Sequence, residues 1–176
     1  MAARHGLGAN IEARCGATGV RIAIAAARGL ALATGAKLWG TDSLTVMAQS
    51  VLADPDLKAS GGPFAVAVDA RRSMLYFGLF AADGRRLHGP VLIAPEDAAA
   101  LLPDDLTAAV GSGALLLSKA AEMHGRQIEA ALPDLQPDAG ALASLAFDAG
   151  ATLPSLRPLY LRPADAKPQA SMVTRR

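Results

Sequence analysis

From Phe64 onward, apolar and polar positions fall into short blocks whose period switches between two and about 3.6. Phe64-Ala-Val-Ala-Val-Asp69 is a continuous apolar run closed by a carboxylate, the pattern of a buried strand. Met74 to Ala81 predicts a second strand and Leu87 to Ala94 a third, with Asp83-Gly84 as the hairpin turn between them. Pro95-Glu-Asp opens a helix toward Leu102, because proline and acidic residues suit a first helical turn. Thr107 to Gly111 predicts a strand that runs into Ser112, the cap of a helix to Met123. Gln127 to Ala131 reads as a short strand and Asp138 to Ala149 as a helix. The order is β-β-β-α-β-α-β-α, an α/β fold with a mixed sheet covered by helices. It is the ribonuclease H-like order, the building block of actin-like two-lobed proteins.

The first half follows a different rule. Met1 to Ala17 shows neither period and carries scattered glycines, so a poorly ordered leader is expected there. Thr18 then caps a helix from Gly19 to Thr34, with Gly35 as its stop. That helix is apolar on most of its circumference, interrupted by Arg21 and Arg28, seven positions apart on one stripe. Such a helix is normally buried on more than one side. Lys37 to Gly40 follows as a strand, and Ser43 opens a helix ended by Asp54-Pro55. Ser60-Gly-Gly-Pro63 marks a boundary. The chain is thus divided into a leader at 1–17, the remnant of a first lobe at 18–60, a ribonuclease H-like second lobe at 61–152 and an extended tail at 153–176.

Composition narrows the function classes. A formal charge of +1 gives no overall field toward nucleic acid or membrane. Hydrophobic residues make up 52% but aromatics only 4%, so close packing of alanine must replace bulky anchors. A single cysteine, Cys15, excludes an internal disulfide framework. No stretch reads as a membrane span or a signal peptide, and a cytoplasmic protein is expected.

Candidate chemistry is sparse. Asp69 ends a strand where a ribonuclease H nuclease places its first metal carboxylate, but the other acids fall on helices, and a two-metal clamp needs several converging carboxylates. No metal site is expected. Gly111-Ser112-Gly113 lies between a strand and a helix, where backbone N–H groups could face an anion; with Asp69 it forms a possible nucleotide site and allows weak ATP binding. His5, His88 and His124 lack metal-ligand spacing, and no catalytic triad suggests itself. Arg71-Arg72 reads as a solvated turn rather than a phosphate contact, because neither aromatics nor further basic residues flank it in sequence. The small-residue helix from Gly19 to Thr34 would let another helix approach closely, which suits a subunit interface.

Several blocks together resemble a known family. The run from Thr18 to Gly35 is similar to the first-lobe helix of the bacterial TsaB family, and Asp42-Ser-Leu44 to the start of its next helix. Val68-Asp-Ala-Arg-Arg-Ser-Met-Leu-Tyr-Phe-Gly-Leu-Phe80 resembles its second-lobe hairpin. Gly111-Ser-Gly-Ala114 and Pro158-Leu-Tyr-Leu-Arg-Pro-Ala-Asp-Ala-Lys-Pro168 resemble it too. The resemblance implies an actin-like fold without catalysis or cofactor of its own. Such a subunit forms a heterodimer with a TsaD-type transferase, which places threonylcarbamoyl on the adenosine beside the tRNA anticodon. A TsaE-type ATPase would be a further partner, tRNA would be met only through the complex, and no membrane is involved. The interface would use Arg21, Ile22, Ala25, Ala26, Gly29 and Leu30. Arg14-Cys-Gly-Ala17 stands where the family carries a Gly-Pro-Gly-Ser-Phe-Thr-Gly loop, and the strands that precede that loop are not found in the sequence. The first lobe is therefore expected to be largely missing. A fragment of an actin-like ATP-dependent kinase is the alternative, and a nuclease a third reading.

Overall fold

The computed structural model describes residues 7–11, 17–55, 61–106, 108–149 and 156–162. The larger sheet has strands β3 (Phe64–Asp69), β4 (Leu75–Phe80), β5 (Arg86–Ile93), β6 (Ala108–Val110) and β7 (Glu129–Ala131), in the order β5-β4-β3-β6-β7. β3, β4 and β5 pair antiparallel, whereas β6 and β7 run parallel to β3. The mixed ribonuclease H-like sheet expected from the hydrophobic pattern is the one observed.

Period-two alternation in β3 explains how both faces are covered. Ala65 and Ala67 point toward α3 (Pro95–Ala100) and α4 (Ala114–Met123), where Ala98, Ala99, Ala114, Ala120 and Ala121 pack around Phe77 and Leu75. Methyl groups facing methyl groups bring helix and sheet close together, and the small volumes leave room for a few large side chains. Phe64, Val66 and Val68 point the other way, onto Leu44, Met47, Ala48 and Val51 of α2 (Ser43–Leu52). By packing, α2 therefore belongs to the larger sheet, although it precedes the Gly-Gly-Pro boundary in sequence. An ion pair fastens it there. The Arg86 guanidinium at the start of β5 reaches both the Asp42 carboxylate and the Thr45 hydroxyl, while Asp42 Oδ1 also accepts the Thr45 N–H at 3.2 Å as the cap of α2.

A second, two-stranded sheet joins β1 (Leu7–Ile11) in parallel to β2 (Leu38–Asp42). α1 (Ala17–Thr34) is the crossover that a parallel pair requires. The expected leader at 1–17 is corrected here: it contains a strand, and α1 begins at Ala17 rather than Gly19. The residues standing at the family's glycine loop lie, apart from Ala17, outside the described residues. α5 (Ala139–Ala149) packs against α2 and both strands of the small sheet. Among the described residues, no helix is long and apolar enough to cross a membrane.

Candidate functional site

α1 buries one stripe only. Val20, Ile24 and Ala27, spaced four and three apart, pack with Leu156 and with the partly buried Leu38. Another side of the helix is open: Ile22 is 64% exposed, Leu30 51% and Leu32 89%, with Ala25, Ala26 and Gly29 exposed between them. A Cβ added at Gly29 would meet nothing within 4 Å. Five of the six residues assigned to an interface thus form a continuous exposed strip of apolar and small side chains. The sixth, Arg21, turns aside to donate from Nε to the Tyr160 hydroxyl at 2.8 Å.

Tyr160 belongs to a strap, residues 156–162, that crosses from α1 to the β3–β4 turn. Leu156 is buried on α1, and its carbonyl accepts from Arg28. At the other end Arg162 donates to Ala70 O at 2.7 Å and to Arg71 O at 3.4 Å. The turn it grips is unusual, since Arg71, Arg72 and Ser73 take φ of 63°, 55° and 54° in succession. Left-handed backbone costs a non-glycine residue about 1–2 kcal/mol, so the turn needs outside support. Asp69 Oδ1 supplies some by accepting the Arg71 N–H at 2.7 Å, and Arg162 supplies more.

The structure does bring Asp69, Gly111, Ser112 and Gly113 together, in a closed arrangement. Gly111 N–H donates to Leu132 O at 3.2 Å and Gly113 N–H to Ala67 O at 2.9 Å. Ser112 does not cap α4, whose N-cap is Gly113 without a side-chain bond; its hydroxyl accepts the Asp69 N–H at 3.1 Å. A Cβ on Gly111 would lie 2.6 Å from Ala67 O, and one on Gly113 2.6 Å from a Leu75 methyl. The glycines are there because the chain leaving β6 runs directly over β3, and two backbone donors expected for an anion already hold protein carbonyls. His88 lies against Phe77 and His124 ends α4; His5 lies outside the described residues. Among the described residues, no three His, Cys, Asp or Glu side chains gather as metal ligands.

Comparison with known families decides the ancestry. The family model described as TsaD, tRNA N6-adenosine threonylcarbamoyltransferase, matches residues 16–140, more than half of the chain. The chain belongs to the TsaD family. Within it, the chain is similar to a solved structure described as an uncharacterized protein with similarity to peptidase YeaZ from Pseudomonas aeruginosa, at 27% identity and a TM-score of 0.67. That match covers 88% of this chain and 73% of the other. YeaZ from Pseudomonas aeruginosa itself matches at 24% identity and a TM-score of 0.65, covering 84% and 69%, which speaks for the fold alone. The family match supports a role related to tRNA modification, and with the likeness to YeaZ, a TsaB protein, the resemblance read from the residues holds. A comparison with curated proteins gave no match. Sequence reasoning missed the strap in this TsaB-like chain, as its contacts join residues about ninety to 139 positions apart. The one available signal was the pair of arginines on an otherwise apolar helix.

Proposed function

We propose that this chain is a non-catalytic partner subunit, which supports a TsaD-type transferase in placing threonylcarbamoyl on the adenosine next to the tRNA anticodon. In this reading it works in the cytoplasm as half of a heterodimer, without a cofactor, and a TsaE-type ATPase joins the pair. The observation that carries it is the strip Ile22, Ala25, Ala26, Gly29 and Leu30 on α1, apolar and exposed along the helix. An apolar strip of that length is costly in water and finds a partner. Its small residues allow a facing helix to approach closely, and its large ones supply anchors on either side. The spent backbone donors around Gly111 and Gly113 favour this reading over an actin-like kinase, which would need them for phosphate.

Co-purification tests it. Tagged TsaD-type transferase is expected to retain the wild-type chain, and Ala26→Trp or Gly29→Arg to weaken retention at least tenfold without lowering thermal stability. Transferase turnover should rise on adding the wild-type chain and not on adding either variant. Equal retention of all three chains would refute the interface, and ATP hydrolysis by the purified chain alone would refute the non-catalytic role.

A further inference from the structure

We infer that Arg21 and Tyr160 together receive a carboxylate carried by the partner helix that docks along α1. The inference rests on the proposed partner role and adds to it the polar contact that sets how the partner lies. Arg21 and Arg28 mark a border on α1. Ile24, which is buried, comes three residues after Arg21 and four before Arg28; Ala25, which is exposed, comes four after Arg21 and three before Arg28. Residues at those spacings are neighbours on a helix surface, so the two arginines run between the buried stripe and the open strip. The strap follows this border in the direction opposite to α1, since Leu156 O accepts from Arg28 and the Tyr160 hydroxyl from Arg21. The lengths agree: seven helical residues rise about 10 Å, and four residues of strap reach at most about 14 Å. A helix laid on the strip would thus have the strap as one wall, where Leu159 is 48% exposed and Tyr160 55%. Of the two tyrosines in the chain, Tyr76 packs against the core and only Tyr160 stands at this surface.

Arg21 is held in place without being neutralised. Its Nε donates to the Tyr160 hydroxyl at 2.8 Å, and its guanidinium lies 5.6 Å from the centre of the Tyr160 ring. Two contacts with one side chain order a group that otherwise samples many rotamers, so that less entropy is lost when a partner binds. Among the described residues no carboxylate pairs with Arg21, and neither α1 nor the strap contains an acidic residue. The Tyr160 hydroxyl accepts from Arg21 and still has its own proton to donate. An oriented guanidinium beside a phenol O–H suits an anionic acceptor, and arginine meets a carboxylate with paired hydrogen bonds. Phosphate would satisfy the same donors, but the surroundings decide against a nucleic acid backbone. Ile22, Ala25, Ala26 and Leu32 are exposed on the same helix, and apolar and small side chains suit a closely packed protein helix better than a hydrated polyanion. A strip of small and aliphatic residues says little about register, whereas a single charged contact at its edge fixes it.

The test measures the Kd of the full chain for a purified TsaD-type transferase over a series of salt concentrations. Arg21→Gln should weaken binding about tenfold or more and flatten its salt dependence. Tyr160→Phe keeps the ring and removes the hydroxyl, and should weaken binding about threefold to tenfold. Lys119→Gln, on the exposed side of α4, should bind as wild type. Each surface Asp and Glu on the helices of the transferase is then changed to its amide. One of these changes should reproduce the loss seen with Arg21→Gln, and combining the two should cost nothing further. Losses that multiply in every pairing, as they would if Arg21 merely held the strap, overturn the inference. Arg21→Gln binding as wild type while Gly29→Arg fails to bind leaves the partner reading standing and refutes the carboxylate contact alone; a wild-type chain that does not bind the transferase refutes both. Transferase affinity untouched by Arg21→Gln, with loss of binding to a tRNA transcript or of self-association in sedimentation, would assign the pair to phosphate or to a second copy and overturn the inference as well.

Discussion

Replacing Gly113 with alanine adds one methyl group at the point where the chain passes over β3. The new Cβ would stand 2.6 Å from Leu75 Cδ2 and 3.1 Å from both Asp69 N and Val68 C. Leu75 is fully buried, while the two backbone atoms belong to β3, held there by its pairing with β4. Gly113 has φ of −98°, so the cost is steric and not conformational. Overpacking of this kind destabilises by about 1–3 kcal/mol. Gly29→Ala makes the opposite case with the same chemistry. Its Cβ meets nothing within 4 Å, it lies inside α1, and alanine should stabilise the helix by about 1 kcal/mol. For a chain of this length, 1 kcal/mol moves the melting temperature by roughly 2–4 °C. Gly113→Ala should therefore melt roughly 2–12 °C below wild type and Gly29→Ala roughly 2–4 °C above it, followed by circular dichroism. A Gly113→Ala protein that melts with wild type would show that the crossing is looser than its distances imply, and the steric argument would fail.

Two further substitutions probe the joints. Leu156→Ala should cost about 2 kcal/mol, the low end for a buried leucine, because its cluster with Val20, Ile24 and Ala27 is small; faster amide exchange in α1 is expected, and unchanged protection would exclude the strap as its cover. Asp42→Ala removes both the cap of α2 and the partner of Arg86, whereas Arg86→Ala leaves the cap in place. Asp42→Ala should cost the more by about 1 kcal/mol in urea denaturation, and equal costs would show that the cap contributes nothing.

The hairpin order of the large sheet was legible in the sequence because its determinants are local. The apolar run from Phe64 to Asp69, the Asp83-Gly84 turn, and proline with two acids at the start of α3 each act within a few residues, and each formed as expected. The helix from Gly19 to Thr34 was equally plain, down to its stop at Gly35, where φ is +69°. What failed depended on partners distant in the chain. β1, Leu-Gly-Ala-Asn-Ile, alternates Leu7, Ala9 and Ile11 with Gly8 and Asn10, but over five residues holding one glycine and one small alanine the signal is too short to stand out, and the strand is paired in parallel with Leu38 to Asp42. Ser112 looked like a helix cap, but the N–H it accepts belongs to Asp69, 43 residues away. Only the tertiary structure could place α2 on the large sheet, since its apolar stripe states that a partner is needed and not which one. Only it could show α1 covered on a single side, because nearly uniform apolarity carries no directional signal. Only the tertiary structure could show the strap, which joins α1 to a turn that local preference would not form through contacts between residues far apart in the chain.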